Sequence, residues 1–124
     1  MPRIKTHQEF RVYQLSFEVG MMIFELSKSF PKNENYSLTD QVRRSSRSVS
    51  GNIAEAFRKR MYPKSFVHKI NDCEGEAAET QIWLDYALAC GYINQKMHVE
   101  LQEKIDRMIS MLVTMRLKPE DWAL

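Results

Sequence analysis

Apolar residues recur along this chain with the 3.6-residue period of amphipathic helices, in four stretches of helical length. The first, about 8–30, places Val12, Leu15, Val19, Ile23, Leu26 and Phe30 on one face. The second, about 38–60, does the same with Leu38, Val42, Val49, Ile53 and Ala56, and Ser45 and Ser46 fill the stripe. The third, about 64–90, aligns Phe66, Ile70, Cys73, Ala77, Leu84 and Leu88. The fourth, about 95–116, aligns Met97, Leu101, Ile105, Met108, Leu112 and Met115. Breaks fall where turn chemistry allows them. Pro31 ends the first stretch, and Met61-Tyr62-Pro63 separates the second from the third, with Pro63 suited to a first helical turn. Gly91 suits the position just past a helix end, Asn94 an N-cap, and Pro119 a stop.

Long helices joined by short loops predict an all-α fold, an antiparallel up-down four-helix bundle in one domain spanning residues 1–124. Its expected core includes Leu15, Val19, Ile23, Val42, Val49, Ile53, Ile70, Leu84, Leu88, Leu101, Ile105 and Leu112. Residues up to about His7 and beyond Leu117 lie outside the period and are expected to be loose. At 124 residues with 44% hydrophobic content, the chain has enough apolar material for a core without disulfides or metal. The longest apolar run, Tyr86 to Cys90, is far too short to span a bilayer, and no signal-peptide pattern opens the sequence. Cys73 and Cys90 lack CxxC spacing, which fits a reducing compartment, so a cytoplasmic location without a membrane partner is expected.

Charge sharpens the picture because it is segregated. Residues 37–64 hold seven Lys/Arg against two Asp/Glu, and residues 65–91 hold one Lys against five Asp/Glu. On a helical wheel Arg44, Arg47 and Arg58 fall opposite the apolar stripe of helix two, with Gly51 and Ala54 beside them. Such a face can neutralise phosphates through forked guanidinium donors, or it can be a solvated or partner-paired surface. No aromatic residue interleaves these arginines, so base stacking is not suggested. Helix three carries a second apolar face, Ile82, Trp83 and Tyr86, flanked by Asp72, Glu76 and Glu79. Either a loop covers part of that face or it meets another subunit, for which Trp and Tyr are favoured anchors. The acidic flank has the sign to meet Arg44, Arg47 and Arg58 of a neighbour, so both readings of the arginines stand.

Catalytic patterns are missing. None of His7, His68 and His98 has the Glu-x-x-His spacing of di-iron bundles, and His68 with Asp72 lacks a third ligand. Cys73 sits on the apolar stripe as a packed thiol, and Ser45, Ser46, Ser48 and Ser50 suit close helix packing. No phosphate loop or dinucleotide fingerprint occurs. The chain is therefore read as a non-enzyme with no metal and no cofactor.

Several segments together resemble a known family. They are Phe30-Pro31-Lys32-x-Glu34-x-Tyr36-x-Leu38, Gln41-Val42-Arg43-Arg44-Ser45, Ser48-Val49-Ser50-Gly51-Asn52-Ile53-Ala54-Glu55, Glu76-Ala77-Ala78-Glu79-Thr80-Gln81-x-Trp83-Leu84 and Gly91-Tyr92-Ile93. Over about residues 8–115 the chain is similar to the bacterial four helix bundle proteins encoded in intervening sequences of large-subunit ribosomal RNA genes. Ser50 and Ala56 stand where that family often has Pro and Gly, and both replacements favour a continuous helix two. The resemblance implies an up-down bundle assembled as a ring, a homopentamer, without a catalytic site. The family is also similar to the basic accessory protein of diversity-generating retroelements, which implies engagement of nucleic acid or a nucleic-acid enzyme. The expected function is a non-enzymatic oligomeric adaptor that binds RNA, DNA or a nucleic-acid enzyme through Arg44, Arg47 and Arg58. The alternative is a purely structural self-assembling protein. In both, Asp72, Glu76, Glu79, Ile82, Trp83 and Tyr86 form the subunit contact.

Overall fold

The structure, a computed structural model of the chain, describes residues 4–123. Four helices form in the order read from the periodicity: α1 (Arg11–Ser27), α2 (Leu38–Arg58), α3 (Pro63–Ala89) and α4 (Gln95–Leu117). Among the described residues there is no strand. Each helix packs on its chain neighbours, and α1 also closes against α4, so the bundle runs up and down around one core.

Of the twelve residues expected in the core, eleven are buried. Leu88 is the exception. It is half-buried at the rim, and Ala87 takes the inner position. The buried line of α3 runs Phe66, Ile70, Cys73, Ala77, Thr80, Leu84, Ala87, alternating steps of four and three residues. That rhythm keeps a seam in register with its neighbours, and Leu88 lies one position beyond it. Thr80 is the polar member, with its hydroxyl 2.8 Å from that of Ser45 across the α2–α3 seam. Ser16 and Ser50 meet in the same way at 2.9 Å between α1 and α2. These serines are packing residues.

The ends follow the turn chemistry. Pro63 is the first residue of α3, where its missing N–H leaves no bond unmade. At the other end Gly91 adopts φ 77°, a region that disfavours side-chain-bearing residues. This lets the Gly91 and Tyr92 amides donate to the carbonyls of Leu88 and Ala87, satisfying two terminal groups of α3. Asn94 caps α4 by accepting from the Met97 amide at 2.8 Å. Helix α1 is shorter than its periodicity suggests. Phe10 takes extended backbone and separates a single 3-10 turn, His7–Glu9, from the helix proper. Beyond Ser27 the chain turns through residues 28–37, and the buried Phe30 ring packs on Tyr92, whose hydroxyl donates to Glu34 at 2.8 Å.

The described terminal residues are not loose. After α4 a 3-10 turn, Pro119–Asp121, carries Trp122 back onto the buried Phe10 ring, edge-on at 5.4 Å. Phe10 also meets Phe57 at 5.5 Å, and His7 stands edge-on to Tyr13 at 4.7 Å. Aromatic packing closes this end of the bundle.

Candidate functional site

Helix α2 turns its serines and aliphatic residues inward and its charges outward. Arg44, Arg47 and Arg58 are all exposed, as the wheel required. Arg44 stands 3.7 Å from Asp40, one turn back on the same helix, a solvated pair of little energetic weight. Among the described residues no carboxylate pairs with Arg47 or Arg58. The guanidinium of Arg58 lies 5.7 Å from the Phe57 ring centre.

Arg47 leans toward α1, and this brings in residues that the helix-two pattern could not supply. Phe24 of α1 is surrounded by cations: Lys28 Nζ at 4.8 Å from its ring centre, Arg43 at 5.0 Å and Arg47 at 5.7 Å. Each contact with the ring face is worth about 0.5–1 kcal/mol at a solvated site. Arg43 is fixed further by donating through Nε to Ser27 Oγ at 2.8 Å. Lys28 is partly balanced by Glu25, 3.2 Å away. Arg43 and Arg47, one turn apart on α2, repel each other and form no ion pair among the described residues. An aromatic ring does interleave the arginines, and it comes from the neighbouring helix.

Phe24 belongs to an outward stripe on α1 opposite the core stripe, formed with Tyr13, Phe17 and Met21. Phe17 is 55% exposed and Met21 46%. The Tyr13 and Phe17 rings stack at 6.3 Å with planes 27° apart. The ridge of Phe17 and Met21 divides two grooves. Toward α2 lies a groove of about 230 Å³ lined by Tyr13, Phe17, Gly20, Phe24, Arg47 and Ser50. Toward α4 lies a wider one whose charged residues are Glu18, Glu25 and Glu100. The groove toward α2 is lined by the cation Arg47, whereas in the groove toward α4 Glu18 is balanced by Lys104 at 3.0 Å and Glu25 by Lys28.

On α3 the second apolar face is divided. Ile82 and Tyr86 are exposed, whereas Trp83 is half-buried against the core and tilted against Tyr86 at 6.1 Å. Trp83 lines a groove together with Ser37, Leu38 and Gln41 at the start of α2 and with Cys90. Its indole N–H is buried without an acceptor among the described residues. Asp72, Glu76 and Glu79 are half-buried along the same helix. Burial foremost, and then repulsion from Glu79 and Asp72, raises the Glu76 carboxyl above its ordinary range. Among the described residues Asp72 pairs with the exposed His68, at 3.6 Å. None of the three carboxylates pairs with Arg44, Arg47 or Arg58 within the chain. By contrast, the carboxylates of α3 that face α4 are engaged: Glu74 holds Arg116 by two bonds, at 2.6 and 3.3 Å, and Asp85 holds His98 at 2.7 Å.

Among the described residues no three His, Cys, Asp or Glu are grouped to hold a metal, and no helix is long and apolar enough to cross a membrane. Residues 8–114, nearly the whole bundle, match the family model described as 23S rRNA-intervening sequence protein. The chain belongs to that family. A crystal structure at 1.70 Å of an S23 ribosomal protein family member of unknown function, from Bacteroides thetaiotaomicron VPI-5482, superposes with a TM-score of 0.77. The match covers 85% of this chain and 97% of that one at 24% identity, a likeness of fold. No curated protein matches the chain.

Proposed function

We propose that this member of the family is a non-enzymatic adaptor that binds nucleic acid, or an enzyme acting on it, through the outward basic face of α2. The observation that carries this reading is the set Arg44, Arg47 and Arg58, exposed on one face, with Arg47 and Arg58 lacking a carboxylate among the described residues. Phosphate contacts release counterions, so affinity for RNA and DNA should fall steeply with salt. In a titration across a salt series, replacing all three arginines with Ala should flatten the slope of log K against log salt by about 2 to 3. Wild-type protein that binds neither single strands nor duplexes at low salt would defeat the proposal.

A second reading is favoured by a different observation. Glu76 and Glu79 form no ion pair among the described residues, and they border exposed Ile82 and Tyr86. Unlike patches of this kind suit a heterologous contact, in which an acidic face meets the basic face of the next copy and rotation closes a ring. A homopentamer, with Asp72, Glu76, Glu79, Ile82, Trp83 and Tyr86 at the contact, is the assembly we propose. Its cellular setting would be the cytoplasm.

A further inference from the structure

We infer that the groove between α1 and α2 receives single-stranded nucleic acid, with a base stacking on Phe17 and the adjoining phosphates held by Arg47 and Arg43. The inference rests on the nucleic-acid reading above and narrows it to one groove and one form of the polymer.

Three features converge there. Phe17 is more than half exposed, and its ring is stacked on Tyr13, so the platform is held in place before anything binds. Arg47 lines the same groove, and Arg43 and Lys28 continue it around Phe24, so cations follow the platform along the helix. Gly20 lies between the aromatic residues, and a methyl group added to it would meet nothing within 4 Å. The groove floor is therefore open for lack of a side chain, and no neighbour within the chain requires the glycine. Aromatic platforms alternating with cations along a groove are the general means of holding a single strand without reading its sequence. From Tyr13 to Lys28 the helix rises roughly 22 Å. That length suits a site of about four nucleotides, near the small end of known single-strand sites.

The polarity of the surroundings sets the side on which the backbone must lie. On the α4 side of the Phe17–Met21 ridge the groove is lined by no cation, but by Glu100 and by Glu18 and Glu25, which Lys104 and Lys28 already occupy at 3.0 and 3.2 Å. The strand therefore belongs on the α2 side, where Arg47 has no carboxylate partner among the described residues. A duplex keeps its bases stacked inside itself. It can use the arginines, but it has no free base face to offer Phe17.

The test is fluorescence anisotropy with labelled oligouridylate and oligoadenylate of about 12 nucleotides and a mixed-sequence RNA duplex of matching length. Wild type, Phe17→Ala, Phe17→Trp and Arg47→Ala are compared across a salt series, with light scattering on each. The exposure of Phe17 makes Phe17→Ala compatible with the fold, which thermal melts verify. Single strands should bind more tightly than the duplex. Phe17→Ala should weaken single-strand binding about ten-fold or more without changing the salt slope or duplex affinity, and Phe17→Trp should retain it. Arg47→Ala should flatten the slope by about 0.7. Unchanged single-strand affinity in Phe17→Ala, with the arginine dependence intact, would overturn the groove and leave the broader reading standing. Binding of neither form would overturn both. A Phe17→Ala protein of lower mass with unaltered affinity would make the ridge a contact between copies and defeat the inference.

Discussion

Cys73 and Cys90 show how far position outweighs residue type. Burial on the inner face of α3 pushes the Cys73 thiol up to about 12, so the reactive thiolate is scarce at neutral pH. Cys90, past the end of the same helix, is exposed. A thiol reagent at pH 7 should modify one cysteine per chain rapidly, and mass mapping should locate it at Cys90, with Cys73 reacting only on unfolding. Glu76 makes the complementary case for charge. Its carboxyl is raised in the folded chain, so the unfolded chain ionises first as pH rises. The resulting destabilisation begins in the ordinary carboxylate range and is complete above the raised value. Glu76→Gln should therefore raise the melting temperature at pH 7, and the gain should vanish when melts are repeated in acid below that range.

At the scale of elements, α2 contains a glycine with no structural need of its own. Gly51 is exposed, and a side chain there would meet nothing within 4 Å. A helix-interior Gly costs about 1 kcal/mol relative to Ala. Gly51→Ala should stabilise the isolated bundle by that amount, a shift of several degrees in a thermal melt. If a partner approaches the arginine face closely, the same substitution should weaken that contact. The helices themselves were legible in the sequence because each buries one stripe, and Val42, Ile53, Ile70 and Leu101 announce those stripes by spacing alone. Turn chemistry at Pro63, Gly91 and Asn94 marked the ends for reasons local to each residue. What spacing could not convey was the full company of Phe24, since two of its three cations, Arg43 and Arg47, come from α2, across a turn. A signal was nevertheless present: Tyr13, Phe17, Met21 and Phe24 recur with helical period opposite the core stripe of α1. The return of Trp122 onto Phe10 lies outside any periodic segment, and only the closing of the bundle's end brings those rings together.

For the whole molecule, exposed apolar residues pair up on two helix faces, Phe17 with Met21 on α1 and Ile82 with Tyr86 on α3, while Tyr36, Met61, Tyr62, Val99 and Leu117 are exposed elsewhere. The α3 face carries the acidic flank and is the one assigned to self-association. Because Trp83 supports the chain's own core, its removal would mix assembly with stability. The cleaner probe is the double substitution Ile82→Ala and Tyr86→Ala, which alters exposed side chains. Light scattering at tens of micromolar should show the wild type as an oligomer and the double variant shifted toward monomer, at nearly unchanged melting temperature of the bundle. Ion pairs from Arg44 would add only about 0–1 kcal/mol each, so Arg44→Ala should shift the mass less. A wild-type monomer would defeat the assembly.

The two tryptophans occupy opposite ends of the bundle. Trp122 lies over Phe10 where α1 begins and α4 finishes, and Trp83 lies beside Leu38 where α2 begins and α3 finishes. Each indole is half-buried in a different aromatic setting, one edge-on to a phenylalanine and the other tilted against Tyr86. The molecule thus carries an optical probe at each pole. In single-tryptophan variants, emission from Trp122 would register fraying of the terminal pole, and emission from Trp83 would register any ligand or neighbour that settles beside Tyr86.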